Sequence, residues 1–380
     1  MRKLFSILCM WFYIVSLQAS DHFNFRNLDM QSGLSNNFVH HIMRDSYGYM
    51  WIATENGLNR FDGYQFVKYT IMQHGAYSDN IPLVDEDADK NIWIKGSEQY
   101  YYYNREQDCI DNDIESLLAS YHIKGLPSLL LVDNDRNLWC RTDSTLHYYD
   151  FQTRKHHTFV LPSNQQLIDI TCRAQRPFLL FANGSIARID IPKAAITMET
   201  QALLQKDKVY HLYLDSANRL WIYGLHATGL NCYDTNRRKW TSFSGEKELD
   251  SVYLTTVMDD TNGNLWIGTD NRGIFVYSPS KTNMKRISAI PGKQFSLPDD
   301  HINSLYKDNM NAIWVGTAKQ GVAVAALNRT TFNIYPMVNQ FDVKTIQEDN
   351  NENLWIGFDG YGLNCYNQHH KTNISYMNSQ

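Results

Sequence analysis

The chain has 380 residues, 43% of them hydrophobic and 13% aromatic, which excludes a disordered, solvating polymer. Its net charge of −5 argues against a phosphate-neutralising surface, so nucleic acid is not expected as a partner. With 9 Pro and 20 Gly, collagen-like and low-complexity classes fall away as well.

The first element in the chain is a leader. Arg2 and Lys3 precede an apolar run from Leu4 to Leu17, and Gln18-Ala19-Ser20 form a small-residue exit. This pattern predicts a secretory signal peptide over residues 1–20 and hence export. The run is short for a bilayer, which takes about 20 helical residues. After Cys9, five cysteines remain, widely spaced and odd in number, so no disulfide framework is expected. Without CxxC or zinc spacing, no metal or other cofactor is expected.

One phrase then recurs: an apolar stretch, Asp, a polar turn, and a strand centred on Trp. It continues with Gly-Leu, a few residues, an aromatic and Asp or Asn. The Asp and Trp pairs are Asp45 and Trp51, Asp87 and Trp93, Asp133 and Trp139, Asp215 and Trp221, Asp260 and Trp266, Asp308 and Trp314, and Asp349 and Trp355. A degenerate fourth repeat fills the gap after Trp139, with Arg173 at the Asp place and Leu179 at the Trp place. The repeats then step by 40 to 48 residues, a spacing that suits a four-stranded propeller blade.

Each Asp begins a turn that its own side chain can stabilise. In the first repeat this turn joins an inner strand, Val39–Arg44, to a Trp strand, Met50–Thr54. The small residue two places after Trp, as at Gly268 and Gly316, leaves room for a neighbouring blade. Phe23-Asn24-Phe25, ahead of the first inner strand, is expected to be an outer strand that closes the seventh blade. A similar layout recurs at Phe332-Asn333-Ile334-Tyr335. The expected fold is therefore an all-β propeller of four-stranded blades, seven-bladed with an extra blade. A single eight-bladed ring is the alternative.

Gly33-Leu34-Ser35-Asn36-Asn37-Phe38-Val39, the Asp45 to Thr54 segment and Gly57-Leu58-Asn59-Arg60-Phe61-Asp62-Gly63 together resemble the two-component regulator propeller repeat. The order of signal peptide, opening strand and motif is similar to the amino terminus of a Bacteroides-type hybrid two-component sensor. That resemblance implies a periplasmic, non-catalytic part that senses glycans, anchored in the inner membrane and dimeric in full-length relatives. It implies two seven-bladed propellers ahead of a membrane helix and a kinase. On that plan residues 21–330 form the first propeller, and 331–380 the first blade of a truncated second one.

No catalytic motif competes with this reading. His40-His41, His156-His157 and His369-His370 are adjacent pairs whose members point to opposite faces of a strand, which is poor geometry for one ion. Asp85, Asp87 and Asp89 imitate the start of a calcium loop, but Lys90 and Gly96 stand where its Gly and Glu belong. Ligand binding is better motivated. Seven residues before each repeat's Asp, or its substitute, the chain starts an inner strand, at Phe38, Asn80, Leu126, Gln166, Lys208, Tyr253, His301 and Asp342. Loops on one propeller face meet at the central channel. Phe38, Lys208, Tyr253 and His301 are the expected contacts for an oligosaccharide, with rings for sugar faces and polar groups for hydroxyls. A secreted propeller enzyme, such as a lyase, is the alternative function, since streptogramin lyases carry similar Asp-x-x-Gly-x-x-Trp turns.

Overall fold

The computed structural model describes residues 23–205, 208–225, 227, 229–241, 246–326, 342–351, 353–367 and 372–376. The signal peptide, Phe332–Tyr335 and the His369-His370 pair lie outside the described residues. The chain divides into two compact units, Met1–Asn328 and Arg329–Gln380.

In the first unit, antiparallel strands follow one another in sets of four. Blade 1 comprises Val39–Arg44, Met50–Thr54, Gly57–Phe61 and Phe66–Tyr69, and the first two match the expected inner and Trp strands. Blades 2 to 6 begin with the inner strands Leu83–Glu86, Leu129–Val132, Leu167–Arg173, Val209–Leu214 and Leu254–Asp259. A single parallel pairing, Leu225 with Leu254, links the sheets of blades 5 and 6. Blade 7 contributes Ile302–Lys307, Ala312–Thr317 and Val322–Ala326.

The repeated Asp does more than close a turn. In blade 1, Asp45 Oδ1 accepts from the backbone N–H of Tyr47 and Tyr49 at 3.0 and 2.9 Å. Its other oxygen accepts from the indole N–H of Trp51 at 2.8 Å. The same indole bond recurs in blades 2, 3, 5, 6 and 7 at 2.7–3.0 Å. One carboxylate thus fixes the turn, and it anchors the ring that fills the gap to the next sheet.

Apolar clusters sit between successive sheets and close the ring. Trp51 joins Val84 and Ile94 between blades 1 and 2, and Trp139 joins Ile170 and Leu179 between blades 3 and 4. The last cluster packs Trp314 and Val322 of blade 7 against Val39, Ile42 and Ile52 of blade 1. A Cβ on Gly316 would lie 2.6 Å from Ser304 Oγ and 2.7 Å from a methyl of Val39. One on Gly268 would lie 2.5 Å from Thr256 Cγ2 and 2.9 Å from Ile302 Cγ2. The small residue therefore admits the next inner strand at close range, as the sequence predicted.

Two expectations are corrected. The strand that completes blade 7 is Arg26–Leu28, paired with Val322–Val324, not Phe23–Phe25. The two Phe rings pack ahead of it: Phe23 sits edge-on to Trp266 at 5.2 Å, and Phe25 is buried between blades 6 and 7. In blade 4 the Trp place is taken by Phe178, which faces blade 5, whereas Leu179 faces blade 3. The cause is a shorter turn. Thr171 pairs with Phe178 as Met43 pairs with Trp51, but one residue fewer separates Arg173 from its aromatic.

The second unit holds one sheet of Val343–Glu348, Asn353–Phe358, Leu363–Asn367 and Thr372–Tyr376. Asp349 again accepts from its Trp355 indole, at 2.8 Å. Ile346 is 60% exposed where its blade 1 counterpart Ile42 is 1% exposed. Among the described residues no helix is long and apolar enough to cross a membrane.

Candidate functional site

Four of the strand starts in the first unit share one backbone role. The carbonyls of Phe38, Gln166, Tyr253 and His301 each accept an N–H from the residue after the second strand, at 2.8–3.0 Å. A register shift follows within two residues in blades 1, 4, 6 and 7. This bulge turns the next side chains and bends the strand as it enters the ring.

The predicted site residues lie at these starts, on blades 1, 5, 6 and 7. Phe38 is partly exposed and packs on the His40 ring at 4.9 Å. His40 Nε2 in turn lies 2.7 Å from Glu55 Oε2. Tyr253 and Lys208 are exposed. The His301 ring lies 2.9 Å from Asp299, whose second oxygen accepts the Lys319 N–H at 3.0 Å. Imidazole, carboxylate, phenol and ammonium groups thus lie at or near the strand starts. The cleft described below is lined by none of the four.

Sequence reasoning missed the polar lining of the inner strands. Apart from the single Leu225–Leu254 pairing, the inner strands of the first unit have one edge without a strand partner among the described residues, and in blades 1, 5 and 6 side chains from the blade before supply partners to the backbone. Asn303 donates to the Val39 carbonyl at 3.0 Å. Asp169 accepts the Leu212 N–H at 2.8 Å, and Tyr213 accepts the Asp259 N–H at 2.9 Å. Arg173, at the Asp place of blade 4, reaches past blade 5 to Asp259 at 2.9 Å. Such links satisfy an edge that would otherwise stand open.

Burial shifts several groups here. His41, which bonds the backbone of Val84, is held down at about 4 by burial. Asp85, between blades 2 and 3 beside Leu130, is pushed up to about 7 by burial. Among the described residues five buried polar atoms have no hydrogen-bond partner at or near the strand starts: His41 Nδ1, Asn80 Oδ1, Gln165 Oε1, Thr255 Oγ1 and Ser304 Oγ. Four of them belong to blades 1, 2, 6 and 7, which also carry Phe38, Tyr253 and His301, and Gln165 belongs to blade 4. Among the described residues no group of three or more His, Cys, Asp and Glu could hold a metal ion.

Comparison with known proteins places this arrangement. The family described as two component regulator propeller matches residues 33–56, 248–271 and 296–319, the segments leading into the Trp strands of blades 1, 6 and 7. Three of its repeats, in blades 1, 6 and 7, match the two-component regulator propeller repeat. A 66-residue stretch is 38% identical to histidine kinase P4 of Formosa agariphila, covering 17% of this chain and 5% of that protein. The fold is similar to the extracellular domain of a hybrid two-component system from B. thetaiotaomicron, at 23% identity and a TM-score of 0.61, over 93% of this chain and 49% of that one. A second such domain from the same organism gives 19% identity and 0.62, over 93% and 53%. Virginiamycin B lyase from Staphylococcus aureus shares the fold at 13% identity and 0.55, over 80% and 99%. The chain spans about half the length of the two-component structures.

Proposed function

We propose that this chain is the ligand-sensing propeller of a hybrid two-component signalling system, working in the periplasm, and that its ligand is a glycan-derived oligosaccharide. The likeness to extracellular sensor domains supports the sensor role, and the apolar leader of residues 4–17 supports export. The observation that carries binding is the set of unpartnered buried polar atoms at the strand starts, four of the five on blades 6, 7, 1 and 2 and the fifth, Gln165 Oε1, on blade 4. Buried polar atoms nearly always have partners, so this set offers unmet donors and acceptors that ordered water or a polar ligand satisfies. Tyr253 and Phe38 supply rings for sugar faces, and His301 and Lys208 bond hydroxyls. In a full-length sensor, residues 331–380 begin a second propeller and two copies pair. Calorimetry against host and dietary glycan oligosaccharides tests the reading: at least one binds, and Tyr253→Ala weakens it. Cleavage of any polysaccharide by the purified chain overturns the non-enzyme reading in favour of a lyase.

A further inference from the structure

The turn ends of the inner strands, opposite Phe38 and Tyr253, hold a feature that the repeat does not predict. In blade 3 the residues Asp133 to Asn137 connect the first two strands. In blade 4 pairing continues to Arg173 opposite Arg176, leaving Ala174 and Gln175 as a two-residue turn with φ of 50° and 56°. These are the positive angles of a tight hairpin turn. Beside this altered turn, residues of blades 2, 3 and 4 line an open surface cleft of about 580 Å³.

We propose that this cleft binds a neutral, polyhydroxylated ligand of one or two sugar rings. Arg154 places its two terminal nitrogens on the Asp89 carboxylate at 2.5 and 2.7 Å, so its charge is already matched. Asp135 lines the cleft, is exposed, and accepts the Gln175 N–H through Oδ2 at 2.9 Å, so its carboxylate has further acceptor capacity. The exposed side-chain amides of Gln152 and Gln175 can each donate and accept. Buried Phe151 forms an apolar wall. A hydroxyl can donate to a carboxylate while accepting from an amide, which this set offers several times over. An anion would meet two carboxylates and one neutralised guanidinium, and is disfavoured.

The proposal does not depend on the strand-start reading, and the experiment separates them. The whole chain is titrated by calorimetry and saturation-transfer NMR with neutral mono- and disaccharides, inorganic phosphate and putrescine. At least one neutral sugar is expected to bind saturably. Asp135→Ala weakens it about tenfold or more, in line with loss of a charged hydrogen-bond partner. Gln152→Trp fills the cleft and abolishes binding, and Tyr64→Ala, at an exposed residue in neither site, leaves it unchanged. If Gln152→Trp does not fold, Gln152→Ala with Asp135→Ala decides. The proposal is overturned if no neutral sugar binds, if phosphate or putrescine binds in preference, or if binding is lost in Tyr253→Ala and survives in the cleft variants.

Discussion

In blades 1, 3, 5, 6 and 7 the buried Asp of the repeat holds two backbone N–H groups and one indole N–H. Asp260→Ala strands donors in a buried site, at a cost of about 1–3 kcal/mol for each. Trp266→Ala empties the gap between blades 6 and 7 and costs about 3–5 kcal/mol. Denaturant titration of both variants checks this, and a loss under 1 kcal/mol in both would contradict the shared-lock account. Asp85 and His41 set opposite pH trends. The folded chain keeps a proton on Asp85 up to about 7, whereas the unfolded chain releases it near 3.8. Its contribution to stability therefore falls as pH rises through that window. Asp85→Asn should raise the melting temperature relative to the native chain more at pH 8 than at pH 5. The folded chain keeps His41 neutral down to about 4, whereas the unfolded chain protonates it below 6.5. That contribution is lost as pH falls from 6.5 toward 4, and His41→Gln should flatten the acid limb of a melting profile.

At the scale of the strand, the repeat made most bounds legible. The inner and Trp strands of blade 1 fall where the apolar alternation and the Asp turn put them. Blade 4 shows why the rest was not. One residue lost from its turn shifts every side chain of the second strand to the other face, so the Trp role moves from Leu179 to Phe178. Counting from the repeat could not reveal that shift, because a gap can be placed on either side of the turn. The opening strand was displaced for a related reason. Phe23 and Phe25 read as strand residues, but their rings are worth more as a plug beside Trp266 than as members of an exposed edge. Removing residues 23–28 should leave Val322–Ala326 as an open edge, lower the melting temperature and promote self-association, visible by light scattering. A truncated chain that stays monomeric with an unchanged melt would refute the role given to Arg26–Leu28.

Across the whole molecule, the ring of the first unit closes through the cluster of Trp314, Val39 and Ile52, so blade 7 and blade 1 hold one another. Ending the chain at Asn328 should leave the main unfolding transition in calorimetry where it is. A large fall would mean that residues 329–380 hold the ring together. The four strand-start residues were found by repeat counting, which placed them on one face. Whether they meet in one ligand is decided by the titrations above.

The amino-acid sequence by itself determined the repeat, its Asp turns, its buried Trp positions and the small residue that admits the next blade. These depend on neighbours within a few residues, and local spacing encodes them. The tertiary structure alone decided which side chains meet across blades. Arg173 reaches Asp259, 86 residues away, and Arg154 reaches Asp89, 65 residues away. Such pairs exist only once the ring has closed and has set the distance between turns that no local pattern relates. The cleft beside Gln175 is of the same kind, since its walls come from three blades and its shape from the one turn that departs from the repeat.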